Sequence, residues 1–452
     1  MIEGSEYIEK QVLKRITPSF KEQKEIDQVV KELKDVVQKK IRENNLPITI
    51  ELVGSIAKNT YLKDNLDIDL FLLFPTDTSK KDLQKYGLLI GRAILKDGEE
   101  CYAEHPYVRG YFKGYKTEIV PCYKIESASQ KLSAVDRTPL HTNYVIEHLK
   151  ESQKKEVRLF KQFLRGIGCY GAEAEVEGFS GYLCEILILK YNNFQKLILN
   201  ARKWKQGEFL SLTIESAPTF ETPLVFIDPV DNERNVPSAL SKENFDLFVK
   251  ACKEYVKKPR ITFFFPNEIK PWSIDKIKKE IGKREFIGVK IEKPEIIVEN
   301  LYPQVRKAVR SIQELCERFD FTILDTKFHV DDNAIYIILN PEKRKISKTT
   351  IHKGPPTRLK ENAADFIKKW SNNPRTVSKP FEKDKRLYVE VEREFTNIKD
   401  LLRDNIKTLS LGKHIDVIVQ KEFSILKLEE LLTENLRIFW TEYLDGKMSW
   451  ER

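Results

Sequence analysis

An acidic pair inside an apolar strand constrains this chain most strongly. Asp67 and Asp69 lie in the run 66–74, whose other members are all Leu, Ile or Phe. Because strand side chains alternate between faces, residues two apart point to the same side of a sheet. Burying two like charges together is costly unless a cation or strong donors neutralise them. The pair therefore predicts a divalent-metal site, and its oxygen ligands favour Mg²⁺.

A glycine–serine turn precedes the acidic strand. Residues 48–53 alternate as a short strand that ends at Gly54 and Ser55, where the chain turns into residues 56–60. Glycine lets the backbone approach a phosphate closely, and the serine hydroxyl and free N–H groups at a helix start can bind it. Lys58 adds positive charge. The segment predicts a phosphate site beside the metal-binding strand.

Glu118 is the best candidate for a third carboxylate. Its segment, 115–121, follows residues 108–112 across Lys113 and Gly114, a pattern typical of a hairpin turn. We expect its strand to lie beside the acidic one. An isolated Asp-x-Asp is more often a solvated strand edge. The complete order of strand, glycine–serine turn, helix, acidic strand and acid-bearing hairpin favours a catalytic site.

This ordered set resembles the nucleotidyltransferase superfamily that includes DNA polymerase β. A longer set of matching segments points to one family within that superfamily. The chain is similar to the archaeal, class I CCA-adding enzymes, which are tRNA nucleotidyltransferases. The matching segments are 53–62, 67–75, 118–123, 133–139, 170–173, 178–185 and 228–236. The resemblance is dense over residues 50–240 and consistent in length beyond them.

The resemblance implies an α+β multidomain protein. Its parts would be a polymerase β-like nucleotidyltransferase head, a helical neck that binds the nucleotide and selects the base, and an α/β body with an inserted α/β tail. Body and tail would grip the acceptor and T arms of tRNA. The corresponding limits are 1–142 for the head, 143–258 for the neck, 259–320 with 392–452 for the body, and 321–391 for the tail.

The resemblance also implies roles for individual residues. Catalysis and Mg²⁺ binding would fall to Asp67, Asp69 and Glu118. Contacts to the nucleotide would come from Gly54, Ser55, Lys58, His141, Lys161 and Tyr170. Taken alone, Tyr170 is typical of a half-buried aromatic residue and His141 of a surface or capping residue.

Arg234 would select the incoming base. Its fork of donors suits a base edge or a phosphate, although an arginine in an acidic loop is most often a solvated ion pair.

Three positions depart from the commonest residues of the family. Lys58 stands where arginine is frequent, so a two-pronged phosphate contact becomes a point-charge contact. Glu118 stands where aspartate is common, and Asp67 where glutamate also occurs. Each exchange retains the charge, so we expect activity to be retained.

A basic run in the C-terminal half is a second candidate for phosphate contacts. Residues 343–360 contain seven Lys or Arg and no Asp or Glu. Such a run is either a solvated, mobile face or a surface for the RNA backbone. The net charge of +9 makes nucleic acid a plausible partner without deciding the matter. The RNA-binding candidates are Lys343, Arg344, Lys345, Lys348, Lys353 and Arg358.

Cysteine usage and hydropathy indicate a cytoplasmic protein. The six cysteines are scattered without a Cys-x-x-Cys pair, which argues for reduced thiols rather than a zinc site or disulfides. The N-terminus is charged, and the apolar run 182–191 carries Glu185 and Lys190 and is too short to span a bilayer. We therefore expect no membrane contact. The resemblance suggests a homodimer.

Hydrophobic periodicity predicts the remaining elements. A capping-box pattern at Ser19 starts a helix that runs to residue 41. Further helices are expected at 80–96, 180–200, 301–319, 359–370, 397–405 and 426–440. Strands are expected at 261–265, 286–291, 321–330, 334–339, 386–391 and 415–419.

Three functions remain open at this point. The resemblance implies template-independent addition of C, C and A to tRNA from CTP and ATP, with release of pyrophosphate by a two-metal mechanism. Another terminal RNA nucleotidyltransferase, such as a poly(A) polymerase, would share the metal site but accept ATP alone. An RNA-binding protein with a vestigial site is disfavoured because all three carboxylates are present.

Overall fold

The computed structural model describes residues 2–64, 66–95, 97–102, 104–213 and 220–452. The chain forms two compact units, one of residues 1–268 with 448–452 and one of residues 269–447. Across the described ranges, no helix combines the length and apolarity needed to cross a membrane.

The first unit combines an N-terminal sheet with a group of helices. Its described helices are α1 (Ser5–Ile16), α2 (Phe20–Glu43), α3 (Gly54–Ala57), α4 (Lys80–Ile94), α5 (Arg137–His148), α6 (Glu151–Gly166), α7 (Gly181–Tyr191), α8 (Phe194–Ala201) and α9 (Lys242–Lys257). Its described strands are β1 (Thr49–Val53), β2 (Asp67–Phe74), β3 (Glu99–Tyr102), β4 (Pro106–Phe112), β5 (Tyr115–Tyr123), β6 (Glu208–Leu210), β7 (Leu224–Asp228) and β8 (Asp231–Asn235).

The N-terminal sheet has the strand order β1-β2-β5-β4-β3. Strands β2 and β5 are parallel, and the other neighbours are antiparallel. The predicted acidic strand, the hairpin and their adjacency are confirmed. Lys113 and Gly114 both have positive φ, as the tight turn between β4 and β5 requires.

Alternation along β2 positions its acidic residues. Ile68 and Leu70 lie in the core beneath α2 and α4, whereas Phe71 and Leu73 pack on the opposite face. Helix α2 begins at the predicted capping box of Ser19. The end of the predicted helix 80–96 differs, since α4 stops at Ile94 and Lys96 lies outside the described residues.

The helices after the sheet pack around an aromatic core. The predicted helix 180–200 is wrong as a single element, because the chain turns at Asn192, with φ of 73°, between α7 and α8. The predicted strand 261–265 is also wrong, since Ile261–Phe263 is a 3₁₀ turn. A strand would place Phe263 and Phe264 on opposite faces, but both are buried against Phe163, with ring centroids 5.9 and 5.7 Å away.

The second unit contains two sheets. Its described helices are α10 (Ile274–Ile281), α11 (Val298–Arg318), α12 (Lys360–Ser371), α13 (Ile398–Asn405), α14 (Lys413–Lys421), α15 (Leu428–Leu431) and α16 (Arg437–Asp445). Its described strands are β9 (Ile287–Glu292), β10 (Ile323–Val330), β11 (Ala334–Pro341), β12 (Thr349–Pro356), β13 (Phe381–Lys383), β14 (Arg386–Glu392) and β15 (Ser424–Lys427).

The larger sheet of this unit has the antiparallel order β10-β11-β9-β15. Strands β10 and β11 fall within the predicted tail, 321–391, yet β11 pairs with β9, which precedes that range, and β9 also pairs with β15, which follows it. A separate sheet of order β12-β14-β13 covers residues 349–392, with α12 packed on it. The limits of body and tail stay a prediction. At the other predicted boundary, residues 142 and 143 both lie inside α5.

Two C-terminal predictions are wrong. The expected strand 415–419 belongs to helix α14, whose Ile415 and Val419 are one helical turn apart and both buried. The expected single helix 426–440 begins in strand β15 and then divides into α15 and the start of α16. The run 415–419 is too short for its periodicity to separate strand from helix.

Candidate active site

Asp67 and Asp69 line one cavity of about 440 Å³ in the first unit. In the sheet, Asp69 lies in register between Val53 of β1 and Glu118 of β5. The parallel pairing of β2 and β5 thus brings the third predicted carboxylate to the neighbouring strand, as expected.

Negative charge accumulates around Asp69. Burial, followed by the charges of Glu118 and Asp67, raises the pKa of Asp69 to about 7, although Lys58 and Lys116 act in the opposite sense. The site thus disfavours the carboxylate form of Asp69 when no further cation is present.

Gly54 is required by the backbone and by space. Its φ is 73°, a conformation that residues with a Cβ rarely adopt, and a Cβ there would overlap the Asp69 carboxylate. The glycine–serine turn therefore approaches the acidic strand as closely as a chain can. Helix α3 begins at this turn, and Ser55 lines the cavity.

Lys58 is bound to a buried acid that the sequence analysis did not single out. Its Nζ lies 2.6 Å from Oε2 of Glu185, which is fully buried on α7. Thr60 donates to Oε1 of Glu185 at 2.6 Å, and Lys161 lies 3.4 Å from the same oxygen. Burial alone would raise the pKa of Glu185, but Lys58 and Lys161 outweigh burial and lower the pKa below its usual value.

Glu118 faces a different partner. Arg109, its cross-strand neighbour on β4, donates from Nε to Glu118 Oε1 at 2.7 Å and from Nη2 to the Tyr107 hydroxyl at 2.9 Å. Asp67 is 3.4 Å from Lys116 Nζ. Within the described ranges, no three His, Cys, Asp or Glu side chains are arranged to hold a metal ion. The role of Glu118 as a metal ligand stays a prediction.

His141 and Arg234 meet at one buried carboxylate. Asp228 Oδ2 lies 2.7 Å from His141 Nε2 and 2.8 Å from Arg234 Nη1. Its Oδ1 accepts from the Tyr182 hydroxyl at 3.0 Å and from the Val230 N–H at 3.1 Å. These contacts join α5, α7 and the β7–β8 hairpin around Asp228.

The protonation states of this cluster agree with its hydrogen bonds. Burial would raise the pKa of Asp228, but hydrogen bonds from His141 and Arg234 outweigh it and lower the pKa to about 2. Burial lowers the pKa of His141 below its usual 6.5, although Asp228 acts in the opposite sense. A neutral His141 that donates its Nε2–H to an ionised Asp228 satisfies both directions.

The cavity unites most of the predicted residues but not all. Glu118, His141 and Arg234 are absent from its lining. The predicted residues that do line it are Gly54, Ser55, Lys58, Asp67, Asp69, Lys161 and Tyr170. It also contains Tyr182 and Glu185, which connect it to the two buried carboxylate networks.

Three family models cover most of the chain. They are "Nucleotidyltransferase domain" over residues 20–141, "tRNA nucleotidyltransferase, second domain" over 155–265, and "CCA-adding enzyme, C-terminal domain" over 282–427. A CCA-adding enzyme of Methanocaldococcus jannaschii is 37% identical over 91% of this chain and 94% of its own length. A CCA-adding enzyme of Archaeoglobus fulgidus is 38% identical over 87% of this chain and 89% of its own length.

The chain belongs to the CCA-adding enzyme family. It is therefore a nucleotidyltransferase with a polymerase β-like head, as the motifs indicated. For a CCA-adding enzyme, the basic run of the second unit is of particular interest. Five of its six candidate residues are exposed, whereas Arg344 is partly buried and lies 3.4 Å from Glu285. Their contacts with RNA stay a prediction.

Sequence reasoning missed the buried partners of the CCA-adding enzyme site. Tyr182, Glu185 and Asp228 lie inside motifs that matched the family, yet no role was given to them. The available signal was an acid inside an apolar helix, at Glu185, and an acid at the end of an apolar strand, at Asp228. Either position costs free energy unless partners neutralise the charge. Arg109 could have been found as the cross-strand neighbour of Glu118.

Proposed function

We propose that the protein adds and repairs the 3′-terminal CCA of tRNA by stepwise transfer of CMP, CMP and AMP from CTP and ATP, with release of pyrophosphate and without a template. Family membership supports the reaction class. The observation that carries the proposal is the single cavity in which the glycine–serine turn, two strand carboxylates and two lysines converge.

The triphosphate would bind at the turn and the lysines. The Ser55 hydroxyl and the N–H groups at the start of α3 are donors, and Lys58 and Lys161 carry positive charge at the cavity wall. Glu185 holds both ammonium groups on one carboxylate. Tyr170, also in the lining, would contact the sugar or a phosphate.

The carboxylates fit a divalent cation, and we assign Mg²⁺ to them. Asp67 and Asp69 offer only oxygen ligands, and the pKa of Asp69 is raised by burial and by the neighbouring Glu118 and Asp67 charges, which a cation would compensate. Glu118 would complete the set after exchange of its Arg109 contact. When bound, such ions activate the RNA 3′-hydroxyl and neutralise charge on the leaving pyrophosphate.

The protein itself contributes mainly positioning. In-line phosphoryl transfer requires little covalent chemistry from side chains, so alignment of the RNA end with the α-phosphate is decisive. Gly54 allows the turn and the acidic strand to approach closely, and the lysines fix the leaving group. Arg234 would select the base, with His141 beside the nucleotide.

The remaining expectations concern partners. The exposed basic residues of the second unit would contact tRNA through its acceptor and T arms. A homodimer, suggested by the family resemblance, is tested by sedimentation. Cytoplasmic location, predicted from the scattered cysteines, is tested by fractionation.

A tRNA that ends at the discriminator base tests the function. We expect CTP alone to add two residues and CTP with ATP to add one further A. Adenylate tailing without CTP would instead support the poly(A) polymerase alternative. No incorporation with any triphosphate would support the non-catalytic RNA-binding alternative.

A double variant, D67N/D69N, tests the metal site. The double variant should abolish nucleotide incorporation and leave tRNA affinity unchanged, because asparagine lacks the carboxylate charge but has nearly the same side-chain volume. The matched control D35N lies on α2 away from the site and should be fully active. Binding of Mn²⁺, measured by electron paramagnetic resonance, should be lost in the double variant alone, and extension of RNA by it would refute the assignment.

A further inference from the structure

Asp228 lies where the two predicted recognition side chains converge. It is fully buried, and it is the common partner of His141 from α5, Tyr182 from α7 and Arg234 from β8. Four hydrogen bonds saturate its two oxygens, counting the one from Val230. A buried carboxylate with this many donors from separate elements fixes those elements relative to one another.

Arg234 is held at one end only. Its Nη1 donates to Asp228, and among the residues that the structure describes no other group bonds to its guanidinium. The side chain is 28% exposed, so its remaining donors can reach a ligand. Because the guanidinium is planar, one fixed nitrogen restricts the directions in which the others point.

Asp228 is also linked to the nucleotide cavity. Tyr182 lines the cavity and donates to Asp228 Oδ1, and its ring stacks on His141 with centroids 4.1 Å apart. The carboxylate thus ties the cavity wall to the arginine outside it. A displaced Asp228 would move Arg234 relative to the bound base.

We propose that Asp228 is a positioning residue for base selection, which acts by holding the Arg234 guanidinium in the orientation that distinguishes CTP and ATP from UTP and GTP. The inference rests on the proposed function. Hydrogen-bonding sites discriminate strongly because a wrong base leaves a polar group unpaired, but only if the protein group is fixed in advance.

A purely structural role is the competing explanation. The Asp228 bond to the Val230 N–H shapes the β7–β8 turn, and loss of that turn would lower all activities together. The D228N variant separates the two. It retains an oxygen for Val230 and Tyr182 but presents N–H groups or a neutral oxygen to Arg234, so the ion pair is lost.

Asp231 supplies a matched control. It lies opposite Asp228 in the β7–β8 pairing and is also buried, but its carboxylate pairs with Lys131 at 2.8 Å and Arg137 at 2.9 Å instead of with His141, Tyr182 or Arg234. D231N therefore removes the charge that both ion pairs share from the same hairpin without releasing Arg234.

The experiment measures kcat/KM for each of the four triphosphates on tRNA that ends at the discriminator base. Each variant is assayed below its melting temperature, as followed by circular dichroism. In D228N we expect the preference for CTP over UTP to fall about tenfold or more, since a charge-assisted contact is lost. D231N should keep the wild-type preference, and D228E, which retains the carboxylate, should keep more preference than D228N.

A double variant tests whether Asp228 acts through Arg234. If it does, D228N/R234M has the same preference as R234M alone, because the arginine is already gone. Additive losses would overturn the inference. So would an equal decrease for all four triphosphates in D228N, or a D228E variant no better than D228N. Failure of the wild-type protein to incorporate CMP would instead refute the proposed function.

Discussion

Gly54 and Asp69 approach each other so closely that a Cβ at position 54 would overlap the carboxylate. The contact forms because β1 pairs with β2 in a register that places Val53 beside Asp69, immediately before the turn. The glycine–serine turn and the acidic strand are thus fixed relative to each other by backbone geometry. Activity should be more sensitive to this contact than overall stability is.

The first prediction follows from that contact. G54A should lower nucleotide incorporation about a hundredfold or more, because a shift of roughly 1 Å at the reacting groups has an effect of that size. The control G114A adds a Cβ at another positive φ, 85°, where nothing lies within 4 Å. It should lose about 1–2 kcal/mol of stability from backbone strain and retain activity. Equal activity of both variants would contradict the assignment of the turn.

The second prediction concerns Glu185. E185A should lower the free energy of unfolding by about 3–5 kcal/mol, because it leaves Lys58 and Lys161 buried without their counterion. Urea unfolding measures the change. E43Q breaks an exposed pair with Lys40 on α2 and should have no resolvable effect. An E185A variant with an unchanged free energy of unfolding would show that burial of the two lysines does not depend on the carboxylate.

The third prediction concerns the pH dependence of His141. Its pKa in the folded protein should lie below 6.5, because burial disfavours the imidazolium form. Between that pKa and 6.5 the unfolded chain binds more protons, so the contribution of His141 to stability falls as the pH falls through this interval. Histidine-selective NMR measures the pKa. In D228N the pKa of His141 should be lower still, because the Asp228 carboxylate raises it. A higher pKa of His141 in D228N would refute the pairing of the two residues.

The fourth prediction concerns the basic run. Replacing three of its exposed lysines with alanine should weaken tRNA binding and reduce the salt dependence of log K by roughly three, if each neutralises one phosphate. The KM for CTP should not change. Fluorescence anisotropy over a salt series measures both variants. The run variant is K343A/K345A/K348A, and the control of equal charge loss on α2 is K21A/K24A/K39A. Identical slopes for the two variants would contradict the prediction.

Local pattern was sufficient for the N-terminal sheet and helix α2. The alternation 66–74, the capping box at Ser19 and the turn at Lys113 and Gly114 each depend on neighbouring residues, and each was confirmed. Short apolar runs such as 261–265 and 415–419 were misassigned because packing, not periodicity, decided them. The pairing of β11 with β9 could not be predicted because strand pairing between segments distant in sequence has no local signature.

The sequence by itself determined that Asp67 and Asp69 lie on one face of a strand and that Gly54 and Ser55 form the turn before it, and it indicated the family to which the chain belongs. The tertiary structure alone decided how the buried charged side chains are paired. Lys58 meets Glu185 from 127 residues away, and His141 and Arg234 share Asp228. The reason is physical: face and turn follow from adjacent dihedral angles, whereas the counterion of a buried charge depends on which distant elements pack against it.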